Sequence, residues 1–318
     1  MSGAFPFADL ALSQRLEGAE GLGNARFVEG RARVFPDSGA TWIEVAGARA
    51  MFDGAVSPLT QTFGLGLFQP ATAADLDAIE TFFAERGAPT FHEVSPLADP
   101  GLPALLTGRG YRPIEFTSVL YRPIDLAGFD VPSRAGLKVC ATFDGDPAAT
   151  AGREPAPTPA ADPVAQAFRP AAVDPATQAV RPAATVRLIE QSEEEMYARV
   201  SAEGWSEFGL SDFVLNMARL SGQVEGVRQF VAEIGGAPIA AGALALADGV
   251  AHLAGASTIP SGRNRGAQLA LLDHRLRYAA AHGCDIALMG ALPGSGSQRN
   301  AERHGFRIAY TRIKWQKS

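Results

Sequence analysis

The sequence predicts a mixed α/β fold, of the α+β mixed-sheet kind, built twice in tandem. Three observations carry this. Strand-like alternation and helix-like periodicity interleave through both ends of the chain. A stretch dominated by Ala, Pro, Thr and Asp, residues 144–185, separates the two ends. The ends also share an element order: a helix ending in glycine, a strand, a short helix, then a Gly-aromatic pair opening a last strand. From Gly283 to Phe306 is 23 residues, and from Gly87 to Tyr111 is 24.

In chain order, residues 8–35 read as helical. Trp42–Met51 alternates as a half-buried strand turning at Gly47, and Thr60–Phe68 is a second strand candidate broken at Pro70. Thr72 is placed to cap a helix from Ala73 to Arg86 that Gly87 closes. Strand Thr90–Val94, a short helix Pro100–Thr107 and strand Ile114–Tyr121 complete the first unit. The heptapeptide Gln166-Ala-Phe-Arg-Pro-Ala-Ala172 returns as Gln178 to Ala184. Nothing there buries enough surface to offset backbone ordering, so a mobile, partly extended linker is expected. Gly136–Phe143 reads as a strand and is a candidate first strand of the second unit. The expected boundaries are therefore 1–125, 126–184 and 185–318.

The second unit opens with strand Thr185–Glu190. Ser192 followed by Glu195 predicts a capping box for the next helix. The helical pattern breaks at Gly204-Trp-Ser-Glu-Phe-Gly209 and resumes over Leu210–Leu220. Strands Arg228–Ile234 and Pro238–Leu246 are joined by Gly235-Gly236, a hairpin signal. Strand Ala251–Ile259 ends at Pro260, and a helix runs on to about His282 with Leu269, Leu272, Leu276 and Ala279 as its apolar stripe and Asp273, Arg275 and Arg277 away from it. Strand Asp285–Ala291, a helix through Arg303 and a strand Gly305–Trp315 end the chain.

A chain of 318 residues with 47% hydrophobic and 19% charged residues is expected to be a soluble protein of two domains. A net charge of −6 argues against nucleic acid as the main partner. Cys140 and Cys284 form no metal-ligand pattern, so no metal is expected, and their scarcity suits a reducing cytoplasm. The first residues do not read as a secretion signal, and no apolar stretch approaches the roughly 20 residues of a membrane span. A cytoplasmic protein is expected.

The functional signal is the stretch Ser257–Leu272, where a strand opens into a helix through Arg263-Asn-Arg-Gly-Ala-Gln268. A Gly/Arg loop at a helix start leaves backbone N–H groups unpaired beside a favourable dipole, which is an anion pocket suited to pyrophosphate. The first unit has Gln69-Pro-Ala-Thr72 there, without arginine or glycine, and proline removes a donor.

Arg263–Gln268 together with Ser297-Gln-Arg-Asn-Ala-Glu-Arg-His-Gly-Phe306 resembles the GNAT acyltransferase superfamily over residues 185–318. The resemblance implies two tandem acyl-CoA N-acyltransferase-like domains joined by a Pro/Ala-rich linker, the first a degenerate copy that does not bind CoA. It also implies acetyl-CoA as co-substrate, with Arg263, Asn264, Arg265, Gly266, Ala267 and Gln268 around its pyrophosphate. Ser257, Thr258 and Ile259 would lie along the splayed strand, where an N–H from Ala256 to Ile259 serves the oxyanion. Gln268 departs from the family's small residue at that place.

The family's usual tyrosine acid, five residues before Phe306, is Ala301 here. Ser297 and Asn300 remain as hydrogen-bonding partners for the cofactor, and Tyr310 and Tyr278 as substitute donors, Tyr310 also being a packing residue of the last strand. Glu203, Glu207 and His252 are the candidate bases, with Trp205 and Phe208 placed either to line an acceptor pocket or to fill core. His92 and Glu93 are polar in an apolar strand and suit either an acceptor cleft or an interdomain hydrogen bond. Two functions stand at this point. One is an N-acetyltransferase acting on a small-molecule or amino-acid-like amine; the other is a non-catalytic acyl-CoA-binding or sensing protein. The acceptor and the oligomeric state are not legible in the sequence.

Overall fold

Asp9 starts the first helix, α1 (Leu10–Val34), its carboxylate accepting from the Leu12 N–H at 2.9 Å. Strands β1 (Thr41–Val45) and β2 (Ala48–Phe52) form a hairpin on Ala46 and Gly47, both at positive φ, as the right-handed twist of paired strands requires. Strand β3 (Gln61–Phe63) is shorter than the stretch from Thr60 to Phe68 suggested. Gly64 turns left-handed at φ +81 and the Leu67 N–H folds back to its carbonyl at 3.1 Å. Helix α2 (Ala73–Ala84), strand β4 (Phe91–Val94), helix α3 (Leu102–Gly108) and strand β5 (Tyr111–Pro123) follow. The structure, a computed structural model, describes residues 5–124 and 184–317. The strand expected at 136–143 and nearly all of the linker lie outside the described residues.

The second half supplies β6 (Thr185–Leu188), α4 (Glu194–Glu203), α5 (Ser211–Ser221), β7 (Val227–Ile234), β8 (Ala237–Ala247) and β9 (Val250–Thr258). Helix α6 (Ala267–Ala281), β10 (Ile286–Ala291), α7 (Gly296–Arg303) and β11 (Arg307–Lys317) complete it. Two sequence expectations are corrected here. The capping box belongs to Glu190 and Glu193, not Ser192 and Glu195, because a 3-10 turn over Gln191–Glu193 precedes the helix. Glu195 instead pairs with Arg199 and Arg219 on the surface. On α6, Leu269 is exposed, while Leu271, Leu272, Arg275, Leu276, Ala279 and Ala280 are buried.

Among the described residues, eleven strands form one sheet, in the order β1-β2-β3-β4-β11-β5-β10-β9-β8-β7-β6. The centre of that order is a reciprocal exchange. Strand β11, last of the second half, lies between β4 and β5 of the first; β5, last of the first half, lies between β11 and β10 of the second. β5 and β11 pair antiparallel along nearly their full lengths, from Tyr111↔Lys317 to Tyr121↔Arg307. Each half thus completes the other's sheet. Helix α1 reinforces the join, since its Leu12, Leu16 and Ala19 pack with Val119 and Tyr121 of β5, Val250 of β9, Ile286 and Leu288 of β10 and Tyr310 of β11.

A buried ionic cluster closes this seam. Arg312 on β11 donates to Glu93 of β4 at 2.9 Å and to Glu17 of α1 at 3.0 Å. It also spans both oxygens of Glu20 on α1, at 2.8 and 3.0 Å, and faces the Phe63 ring at 4.8 Å. Tyr310 donates to Glu17 at 3.0 Å. Removing Arg312 from such a dry network would leave buried carboxylates without a counter-charge, at a cost of about 3–5 kcal/mol.

Three carboxylates share one guanidinium, so burial is incompletely compensated. Burial, helped by the Glu20 charge and opposed by Arg312, pushes Glu17 from 4.5 up to about 7. A carboxyl whose pKa rises on folding binds more protons folded than unfolded between those values. Its contribution is therefore most favourable at low pH and is lost as pH climbs through the window. In urea titrations, Glu17→Gln is expected to be at least as stable as the parent at pH 8. The parent should gain relative to the variant on acidification to about pH 5, as the linkage requires. A constant difference between the two across that range contradicts the assignment.

Candidate functional site

Strands β9 and β10 run parallel and pair only through Val250↔Ile286, Ala251↔Ala287 and His252↔Leu288. Both continue beyond that point, but to different neighbours. β10 stays on β5 through Ala291↔Ser118, and β9 stays on β8 through Thr258↔Ala240. The edge of β9 past His252 therefore has no strand partner on the β10 side. That edge is also bulged: Ala241 pairs with Ser257 and Ala243 with Ala254, leaving Gly255 and Ala256 opposite Gly242 alone. Gly255 adopts φ +59, which a glycine takes without steric cost.

The chain then turns over a 3-10 segment, Pro260–Gly262, whose Gly262 lies so close to β8 that a Cβ would meet that of Ile239 at 2.9 Å. Arg263 is extended, Asn264 sits at φ +59, and Gly266 at φ +80 delivers the chain into α6. No capping side chain and no acidic residue occupy this helix start. Asn264, Arg265 and Gly266 are exposed. Gln268 turns its amide to the Thr258 hydroxyl at 2.8 Å, tying helix to strand.

The matching helix of the first half is closed. At α2 the Thr72 hydroxyl accepts from the Asp75 N–H at 3.2 Å, and Asp75 accepts from the Thr72 N–H at 2.8 Å and from its hydroxyl at 2.7 Å. That last hydrogen bond, with the backbone one, holds the Asp75 carboxyl below its ordinary range. One helix start has no capping side chain; the other presents a carboxylate.

Solved structures share this architecture over almost the whole chain. A GCN5-related N-acetyltransferase from Kribbella flavida matches with a TM-score of 0.53 at 20% identity, covering 92% of this chain and 95% of that one. This is the GCN5-related N-acetyltransferase fold. A functionally unknown conserved protein from Staphylococcus epidermidis ATCC 12228 matches with a TM-score of 0.51 at 9% identity, over 89% of this chain and 96% of that one. No protein-family model matches the sequence, and no curated protein matches it.

Within this GNAT fold, the end of α4 packs against the bulged strand. Ser257 donates to the Ser201 carbonyl at 3.1 Å, and a Cβ on Gly204 would meet Ser257 Cβ and Oγ at 2.6 Å. Partly buried Trp205 follows directly, its N–H on the Ala202 carbonyl at 3.0 Å. Glu203 is exposed, and Glu207, also exposed, is paired with Arg263, whose other nitrogen reaches the Gly204 carbonyl at 3.5 Å. Phe208 ends the turn Ser206–Phe208, and its side chain lies outside the described residues.

His252 stands at the last pair before the strands part, on the α1 face with Val250. Burial lowers its pKa below 6.5 despite the opposing Glu20 charge, so the ring is neutral at pH 7. The two tyrosines are placed elsewhere. Tyr310 is buried with its hydroxyl on Glu17, and Tyr278 stacks on His282 at 3.9 Å, roughly 16 Å along α6 from the loop at 1.5 Å per residue.

On α7, Ser297 is exposed and Asn300 partly buried, while Ala301 is buried among core residues that include Phe306. Ser295 caps that helix through the Gln298 N–H at 3.2 Å, and Gln298 Oε1 accepts from the Gly294 N–H at 2.9 Å and from Ser118 of β5 at 3.4 Å. In the first half, Glu93 makes the inter-half ion pair with Arg312. His92 is buried with neither ring nitrogen partnered, which drives its pKa down to about 3. Among the described residues, no group of three His, Cys, Asp or Glu is placed to hold a metal ion, and no helix is long and apolar enough to cross a membrane.

Sequence reasoning missed Gly204, Gln298 and Arg275. Arg275 had a signal: it falls three residues after Leu272 and four before Ala279, on the buried stripe.

Gly204→Ala should force α4 off β9, an overpacking cost of about 1–3 kcal/mol in urea denaturation. Gly296→Ala, where an added Cβ meets nothing within 4 Å, should be neutral or slightly stabilising. Equal effects of the two would contradict a tight contact between Gly204 and Ser257.

Proposed function

We propose that the chain is an N-acetyltransferase that binds acetyl-CoA in its C-terminal half and passes the acetyl group to the amine of a small-molecule or amino-acid-like acceptor. The observation that carries this reading is the contrast between the two helix starts. At α6, Gly266 leaves the first-turn amides without a capping side chain, beside Arg263 and Arg265; at α2, Asp75 fills the equivalent place with negative charge. A pyrophosphate suits the first and is repelled by the second. Residues 1–125 are thus read as a degenerate copy that does not bind CoA, and residues 185–318 as the acyl-CoA-binding domain.

The roles follow from position. Amides from Arg263 to Gln268 hold the pyrophosphate, and the acyl arm runs along the free edge of β9 at Ser257, Thr258 and Ile259. An amide at the bulge donates to the thioester carbonyl oxygen, whose charge grows in the transition state. A neutral amine attacks the carbonyl carbon, forming the C–N bond; the C–S bond then breaks and CoA leaves as thiolate. The proton lost by the amine passes to a base or water. His252 is favoured as that base because burial keeps it neutral, whereas Glu207 is engaged with Arg263. With a thiol pKa near 8.5, CoA leaves without a dedicated acid, and Ser297 and Asn300 are the nearby donors. Trp205 and Phe208 are read as acceptor-side residues.

A second reading, an acyl-CoA-binding or sensing protein without turnover, is favoured by buried Ala301 and by the engagement of Tyr310 with Glu17. Calorimetric titration with acetyl-CoA is expected to give one site per chain, weakened at least about tenfold (1.4 kcal/mol) in Arg265→Glu. Thiol release across a panel of amines then separates the readings. Release with at least one amine supports transfer, and none despite binding supports sensing. Two sites, or none, would overturn both.

A further inference from the structure

The β9 bulge is supported from below by a cation. Arg275 of α6 is 3% exposed, and its guanidinium lies directly over Gly242, where an added Cβ would meet Cζ and Nη1 at 3.1 Å. Nη1 donates to the carbonyls of Ala243 at 2.9 Å and Ala254 at 3.3 Å, and Nε donates to Leu271 at 3.2 Å. Ala243 and Ala254 are the register pair on one side of the bulge, and Gly242 is the residue opposite its extra position. One side chain therefore bonds both strands where the ladder goes out of step.

Two physical consequences follow. A bulge survives only if the displaced backbone groups are satisfied, because a buried carbonyl left without a donor costs about 1–3 kcal/mol. Arg275 meets that need, and so fixes which amide of residues 255–258 faces the open edge. A one-residue slip would turn every following side chain to the opposite face and break the contact of Ser257 with Ser201. Arg275 also makes no ion pair with a carboxylate among the described residues. Burial lowers its pKa only to about 10, so it stays charged at neutral pH. A buried positive charge without a counterion raises the local potential for any oxyanion formed above it.

We propose that Arg275 is a positioning residue for acyl transfer: it locks the β9 bulge so that one backbone amide points at the thioester carbonyl, and its charge stabilises the oxyanion that forms there. This rests on the acyltransferase reading above, and it places the electrostatic contribution on the helix side of the sheet. Acetyl-CoA binding at the α6 N-terminus should depend on it little.

The test uses the full chain with Arg275→Met, Arg275→Lys and Gly242→Ala, the last displacing the guanidinium without removing it. Each is first checked for a cooperative thermal melt and for acetyl-CoA affinity. The proposal expects affinities within about threefold of the parent, and kcat for thiol release down about 100-fold in Arg275→Met and Gly242→Ala, the range of a lost oxyanion donor. Arg275→Lys, which restores the charge and one hydrogen bond, should recover at least about tenfold of that loss.

A readout independent of turnover is the infrared carbonyl stretch of bound ¹³C-acetyl-CoA. It should shift to lower frequency in the parent and move back toward the free value in Arg275→Met and Gly242→Ala. An unchanged stretch and kcat in folded, CoA-binding Arg275→Met overturns the proposal alone. If Arg275→Met fails to fold, Gly242→Ala decides by the same criteria. Loss of affinity in step with kcat makes Arg275 a structural residue and also overturns it. A parent that binds no acetyl-CoA overturns the acyltransferase reading, and this proposal with it.

Discussion

The exchange of β5 and β11 is the constraint on which the remaining structure depends. Neither half has a complete sheet of its own, because the strand beside β4 comes from the second half and the strand beside β10 from the first. The exchange also shapes the site. Strand β10 is held along its outer edge by β5 as far as Ser118, beyond the point where it has left β9. The Arg312 cluster lies on the same seam and joins β11 to α1 and β4, so the ionic contacts and the hydrogen-bonded ladder bind the same elements.

The halves share a skeleton and differ in what fills it. Each has a parallel strand pair that ends early, at Phe63↔Glu93 in the first and His252↔Leu288 in the second. In the first half the vertex is occupied by a ring and a carboxylate locked to Arg312, and the following helix is capped by its own acid. In the second half the vertex holds a neutral imidazole, the edge of β9 has no strand partner, and the helix start has no acid of its own and carries arginines, one of them paired with Glu207. A few side chains decide whether the helix start is capped by its own acid or left uncapped, without altering the topology.

Much of this was legible in the sequence, because the signals were local. Gly235-Gly236, the turn at Gly47, the Thr72 cap and the Arg263–Gln268 loop each act within a few residues, and the chain folds at each as its composition dictates. The repeated spacing between Gly87 and Tyr111 and between Gly283 and Phe306 was equally readable. The strand exchange was not, since pattern fixes that a segment is a strand but not which strand it joins. The Ser192 cap failed because a 3-10 turn took up the residues just before the helix, and Glu190 reached Glu193 first. The charge of Arg275 points to solvent in the sequence, but a guanidinium can be buried where backbone carbonyls replace water. Tyr310 illustrates the converse. Its sequence position permitted a role in acid catalysis, but a contact with Glu17, 293 residues away, commits its hydroxyl elsewhere.

The proposed function requires one acyl-CoA site per chain, at the open edge of β9 and the start of α6. Hydrogen exchange of the intact protein, with and without acetyl-CoA, locates that site directly. Slowed exchange is expected for amides of residues 254–259 and 263–270, with no change for residues 70–76 at the start of α2. Protection at both helix starts, or at neither, would contradict it.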